Sequence, residues 1–240
     1  MARILAFDLW GDYAHYKMIY ATTTAVSYPI PVKTSLYGLL AAILGMEKED
    51  NEYLNSFKPG LCKIGIQIMR PIVMQRWNIN LRSVFGPMKP SDNRKPTMVE
   101  MVYRPHYRIF VSHSDPSFMQ ALSEHIQAHT AVYTPTLGLA NLLANFRWVG
   151  EWNADPVEAD DFTLIRSVIP KSMFKGLRVD FESNNQLVEV GQYAVEMDTD
   201  RNVTVREDVL FDRGGKPFWV KASSYYELNI DQQPYHVILF

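Results

Sequence analysis

The chain has 240 residues and a formal net charge of −2, with 47% hydrophobic and 12% aromatic residues, enough for a sizeable core in one large domain or two small ones. A single cysteine, Cys62, excludes a disulfide framework or a cysteine-rich zinc site and suits a reducing compartment. No apolar run approaches the ~20 residues that span a bilayer, and the first residues lack a signal-peptide pattern, so a cytoplasmic protein without membrane contact is expected.

The net charge hides an asymmetry. Residues 1–150 carry 15 Lys+Arg against 10 Asp+Glu, a net of +5; residues 151–240 carry 9 against 16, a net of −7. A basic first part can meet a polyanion.

Arg3–Trp10 alternates as a strand and breaks at Gly11–Asp12. Tyr13–Tyr28 is extended in propensity and rich in Tyr and Thr, with Tyr13, His15 and Lys17 offering π faces and a cation beside the strand end. Pro29 and Pro31 hold the next stretch extended. Thr34 is then the expected N-cap of a helix whose apolar face is Leu36, Leu39, Leu40, Ile43 and Leu44, with Gly45 as its stop. Lys33, Thr34 and Ser35 at its N-terminus form an expected anion site. Gly38 inside a helix costs about 1 kcal/mol relative to alanine, which implies a close approach there by a strand or a ligand.

After an acidic loop at Glu47–Glu52, Leu61–Gln75 reads as a strand and Val99–His113 as its return. Pro71 and Pro105 within these runs imply bulges or edges. Residues 74–98 between them are too many for an ordinary turn. They carry Arg76, Arg82, Lys89, Arg94 and Lys95 against Asp92 alone, with Trp77 and Phe85 interleaved. Cations pair with phosphates and rings stack on bases, so this arm suits a single nucleic-acid strand.

Asp115–Pro116 opens a second helix with Phe118, Leu122, Ile126 and His129 as its expected buried stripe. His125 and His129 stand one turn apart without a third ligand, and Asp198–Asn202 lacks the glycine and glutamate of a calcium loop, so no metal or other cofactor is expected. Tyr133–Gly150 runs from a turn into a strand. The order is strand, helix, strand, long hairpin, strand, helix, strand, which is the βαββαβ plan of an α+β, ferredoxin-like domain over residues 1–150, with the hairpin at about 70–105. A small β-rich, acidic region is expected over 151–240, with turns such as Asp212–Lys216. No phosphate loop, dinucleotide fingerprint or nucleophile elbow is present. His15, His106 and Tyr107 are the candidates for general acid–base work near the basic stretches.

Four segments in order, FDLWGDYAHYK (7–17), YPIPVKTSLYGLLAAILG (28–45), MVYRPHYRIFV (101–111) and YTPTLGLANLLA (133–144), resemble the CRISPR-associated Cas-five family of the RAMP superfamily. The resemblance implies an RRM-related domain with a protruding thumb hairpin. It implies a non-catalytic subunit of a type I surveillance complex (Cascade), I-B-like in overall look. Such a subunit holds the 5′ handle of the crRNA, touches the backbone and large subunits, and meets target DNA through the complex. Carried over by position, Lys33, Thr34, Ser35 and Gly38 would lie near handle phosphates, and Tyr13, His15 and Lys17 would line the handle path. Residues 74–98 would form the thumb, with Arg104, His106 and Tyr107 of the third segment also contacting RNA. In one branch of the family the subunit is a metal-independent endoribonuclease with adjacent Lys and His. This chain has no Lys-His dipeptide, so an endoribonuclease using His15, or His106 with Tyr107, stands as the alternative.

Overall fold

The computed structural model describes residues 1–18, 25–82, 94–178 and 182–240. In chain order the main elements are β1 (Ala2–Trp10), α1 (Lys33–Leu44), β2 (Cys62–Ile68), β3 (Val73–Arg82), β4 (Arg94–Tyr103), β5 (His106–His113), α2 (Pro116–Gln127), β6 (Asn145–Ala154), β7 (Leu187–Met197), β8 (Val203–Asp212), β9 (Phe218–Ala222), β10 (Ser224–Ile230) and β11 (Gln233–Val237). A four-stranded sheet has the order β2-β5-β1-β6, with every neighbouring pair antiparallel.

Alternation along β1 divides its side chains between two faces. Leu5, Phe7 and Leu9 join Ile109 and Val111 of β5 in the core that α1 and α2 cover. Ile4, Ala6 and Phe110 point the other way, under Tyr226, Leu228, Tyr235 and Val237 of the β10–β11 hairpin. Strands beyond residue 150 thus pack on both sides of the molecule. On the helix side, Val190, Tyr193, Ala194 and Val195 of β7 share one core with α1. The last residue closes the outer edge of β2: Ile64 and Phe240 exchange backbone hydrogen bonds of 3.0 and 3.2 Å.

The long strands expected over Leu61–Gln75 and Val99–His113 are each two strands. β2 and β5 pair in the main sheet, whereas β3 and β4 pair with each other, in register from Val73↔Tyr103 to Arg82↔Arg94, and β4 also pairs with Tyr13–Ala14 and bridges Ala25 at Val99. Pro71 and Pro105 sit at the breaks, where a missing N–H cannot serve a ladder and the chain passes between sheets. At the second break Arg104 takes a left-handed conformation, φ 46°.

α1 corrects one expectation. Val32, not Thr34, occupies the cap, extended at φ −76° and ψ 145° with no side-chain cap, so the helix starts earlier than expected. Ser35 instead donates its hydroxyl to the Val32 carbonyl at 2.7 Å. Gly45 ends the helix as expected, at φ 73°, with its N–H on the Ala41 carbonyl. α2 begins on Asp115, whose carboxylate accepts from the Ser117 N–H at 2.8 Å, and buries Phe118, Leu122 and Ile126. His129 does not join that stripe: it lies past the helix end, exposed, at φ 53°. The acidic loop after α1 is a run of 3₁₀ turns over Glu49–Phe57. The Asp212–Lys216 turn does not form a hairpin; it carries the chain from β8 in one sheet to β9 in another. Among the described residues, no helix is long and apolar enough to cross a membrane.

Candidate nucleic-acid interface

An aromatic cluster forms at the base of the β3–β4 hairpin. Tyr13–Ala14 pairs with the end of β4 and places Tyr13 opposite Tyr103. The Tyr13 ring lies 5.6 Å from Trp77, edge to face, and 5.4 Å from Tyr103. Trp77 is 47% exposed although it sits mid-strand. Such exposure removes a hydrophobic contribution to folding and leaves a surface on which a base can stack. Cations flank the rings: the Arg104 guanidinium is 5.3 Å from the Tyr103 ring centre, and the exposed Arg76 touches Glu100 at 3.2 Å. Arg82 is in register with Arg94 at the last described rung of the hairpin, and Lys95 with Leu81. Lys89, with Phe85 and Asp92, lies outside the described residues.

The other expected residues meet at a cleft of about 960 Å³ beside α1. Thr34, Ser35 and Gly38 of α1 form one wall, and Lys17 arrives from the segment after β1. Among the described residues, a Cβ added at Gly38 would meet nothing within 4 Å beyond its own helix, so no described strand approaches it and its bare backbone faces the cleft. Sequence reasoning missed the opposite walls: Lys48 and Tyr53 after α1, Tyr133 and Thr136 before β6, and Arg201 from the turn between β7 and β8. These segments are distant in sequence, and nothing local in any of them signals the convergence. Three cations, several hydroxyls and two tyrosines around an open helix face provide partners for phosphates, sugars and bases together.

Three candidates turn inward. Lys33 has a 2% exposed side chain, and its ammonium donates to Glu196 at 2.8 Å, so it is spent on a buried ion pair and does not reach an anion at the surface. Tyr37 donates to the other oxygen of Glu196 at 2.9 Å. His15 is 4% exposed, with Nδ1 2.8 Å from the Glu100 carbonyl. Tyr107 is buried on the helix side and donates to the Pro29 carbonyl at 2.9 Å, and burial pushes its hydroxyl far above the ordinary range. His106 is the neighbour of Tyr107 on β5 and so faces the opposite side of the sheet. The sheet therefore separates His106 from Tyr107 rather than joining them in one site.

On that opposite side, Asp8 is 1% exposed and accepts from Arg108 at 2.8 and 3.3 Å and from Arg147 at 3.1 Å. The His106 Nε2 stands 4.0 Å from Asp8 and is buried without a hydrogen bond. Burial lowers the His106 pKa, as do Arg70, Arg108 and Arg147, against an opposing effect of Asp8 that is smaller than that of burial. Among the described residues no group of three or more His, Cys, Asp or Glu could hold a metal ion.

A family model described as CRISPR-associated protein (Cas_Cas5) matches residues 4–209. The fold is similar to a solved structure described as a Cas protein, at TM-score 0.52 and 12% identity, covering 90% of this chain and 98% of that one. A chain of a CRISPR RNA-guided surveillance complex gives 0.52 and 13%, covering 90% and 91%. A CRISPR protein from Archaeoglobus fulgidus gives 0.50 and 13%, covering 98% of each chain. No curated protein matches by sequence.

Proposed function

Because the chain belongs to the CRISPR-associated Cas5 family, we propose that it is a non-catalytic RNA-holding subunit of a type I surveillance complex, and that it grips the 5′ handle of the crRNA. The single observation that carries this reading is the cleft beside α1, where Lys17, Thr34, Ser35 and the bare Gly38 meet Lys48, Arg201, Tyr53 and Tyr133. From there the path continues to the rings at the hairpin base. Lys17 and Tyr13 lie on one short segment, so a strand leaving the cleft meets Tyr13, Trp77 and Tyr103. Cations hold the backbone, and exposed rings take unstacked bases, the usual manner of single-strand recognition.

The order β2-β5-β1-β6, with α1 and α2 in the two crossovers, supports a ferredoxin-like, RRM-related core, and the β3–β4 hairpin supports a thumb. Backbone and large subunits are the proposed protein partners, with target DNA reached through the assembled complex. Against the endoribonuclease alternative, His15 and Tyr107 are buried on backbone carbonyls and His106 lies on the other face from Tyr107.

The test is retention of a labelled repeat RNA by the full chain in EDTA, beside a Lys17/Lys48/Arg201→Ala variant and an Arg76/Trp77→Ala variant. Binding without cleavage is expected, weakened in both. If three phosphate contacts are lost, the slope of log K against log salt should flatten by about 2 in the first variant. Unchanged retention would remove the RNA from the cleft. Specific cleavage in EDTA would overturn the non-catalytic reading and direct attention to His106.

A further inference from the structure

The outer face of the four-stranded sheet is only partly covered. Its Ile4, Ala6 and Phe110 end lies under the β10–β11 hairpin. Two residues further along β1, the same face carries Asp8 with its arginines, then Trp10 opposite His106. There a pocket of about 430 Å³ opens between Trp10, Asp12, Arg70, Arg104, His106 and Arg147. The three arginines come from three places: the turn after β2, the left-handed residue between β4 and β5, and β6. Arg70 is exposed and has no ion pair among the described residues, and the Arg104 guanidinium has its ring contact with Tyr103. With Arg108 the surroundings hold four guanidiniums against two carboxylates, Asp8 and Asp12, and Asp8 is already taken by Arg108 and Arg147. His106 lines the same pocket, with its Nε2 buried on the side of Asp8, 4.0 Å away.

Planar guanidiniums match phosphate oxygens in pairs. The indole of Trp10, in the pocket wall 6.0 Å from the His106 ring, adds an aromatic surface that an acidic peptide would not use and a base would. We propose that this pocket is a second nucleic-acid site, which binds a phosphodiester of a single strand and stacks its base on Trp10. The proposal rests on the RNA-holding reading and adds a site on the far side of the sheet from the helices. Chain connectivity supports it: Trp10–Asp12 line the pocket, Tyr13 joins the ring cluster, and Lys17 lines the cleft beside α1. One segment of eight residues therefore links all three positions.

The test uses the full chain and a fluorescein-labelled single-stranded octauridylate, with binding followed by anisotropy across a salt series. An Arg70→Ala/Arg104→Ala variant should bind more weakly, with a salt slope flatter by about 1.4 for two lost phosphate contacts. Trp10→Ala should weaken binding by about fivefold or more, and Trp10→Phe, which keeps a ring, should recover most of it. In ¹⁵N-histidine spectra the His106 resonances should move on addition of the oligonucleotide, and its titration should shift to higher pH. Asp8, Arg70, Arg108 and Arg147 face this ring in the free protein. A Lys48→Ala/Arg201→Ala variant separates the two readings. If that variant loses affinity while the Arg70/Arg104 and Trp10 variants match the parent, the pocket proposal fails and the cleft stands. Parent-like binding by every variant would overturn both. Polyglutamate displacing the oligonucleotide from the pocket at equal charge would make this a protein-docking surface and also end the proposal.

Discussion

Lys33 shows how a residue suited by type and position to one role is committed to another. It stands at the first position of a helix, where an ammonium beside free N–H groups reads as an anion site. The folded chain closes Glu196 over it from 163 positions away, and Tyr37 fills the second carboxylate oxygen. A buried pair contributes little net stability, but removing one partner costs about 3–5 kcal/mol because the other is left charged and desolvated. Lys33→Met should therefore lower the urea midpoint sharply, and Lys33→Met/Glu196→Leu should recover most of the loss. RNA affinity of the double variant should match the parent. A folded double variant that no longer binds RNA would return Lys33 to the interface. His106 gives a pH prediction of opposite origin. Its pKa is held down by burial and by Arg70, Arg108 and Arg147, so the unfolded imidazole, at about 6.5, takes a proton before the native one does. The native state then loses stability as the pH falls below the unfolded value and through the lowered one. His106→Gln should flatten the unfolding midpoint between about pH 7 and pH 5; an unchanged profile would assign the dependence to other groups.

At the level of elements, α1 combines a helix that folds by local rules with a face that does not follow them. Leu36, Leu39, Leu40 and Ile43 are buried at the expected spacing, and Gly45 stops the helix. Gly38 breaks the pattern with nothing among the described residues to require it. Gly38→Ala should raise stability by up to about 1 kcal/mol, since a Cβ has free space and alanine is the better helix former. The same methyl would stand in the cleft, so RNA binding should fall while the melting temperature rises. A more stable variant with parent affinity would take Gly38 out of the interface. This helix also marks what was legible in the sequence. Periodicity, the Asp115 cap, the Gly45 stop and the prolines at strand breaks depend on neighbours within a few residues, and they placed most elements. Pro71 and Pro105 read as bulges or edges because one chain cannot show that β2 and β3 enter different sheets. Of the cleft, Lys17, Thr34, Ser35 and Gly38 were legible from one side. Lys48, Tyr133 and Arg201 reach it only through the tertiary fold, and each alone is an ordinary surface residue.

For the whole molecule, the question is whether residues 151–240 are an attachment or part of the body. The change of charge near residue 150 suggests a boundary, and the packing bears on its depth. β7 supplies Tyr193 to the core over α1, and Tyr193 donates to the Pro31 carbonyl at 2.9 Å, while Tyr28 donates to the Gln192 carbonyl at 2.6 Å. β10 and β11 cover Ile4, Ala6 and Phe110, and Phe240 occupies the edge of β2. A chain ending at residue 150 would leave Lys33 without its carboxylate, expose apolar surface on both sides of the sheet and open a strand edge. Each is a known source of instability or aggregation. The fragment 1–150 should therefore show no cooperative thermal transition and should bind a hydrophobic dye, whereas the full chain should unfold in one transition by both near- and far-ultraviolet dichroism. A fragment that melts cooperatively and retains the repeat RNA would show that the cleft needs no acidic third. Arg201 makes that outcome the more informative one. It is the cation that this region brings to the cleft, so RNA held by the fragment would have to be gripped by Lys17, Lys48 and the hairpin alone.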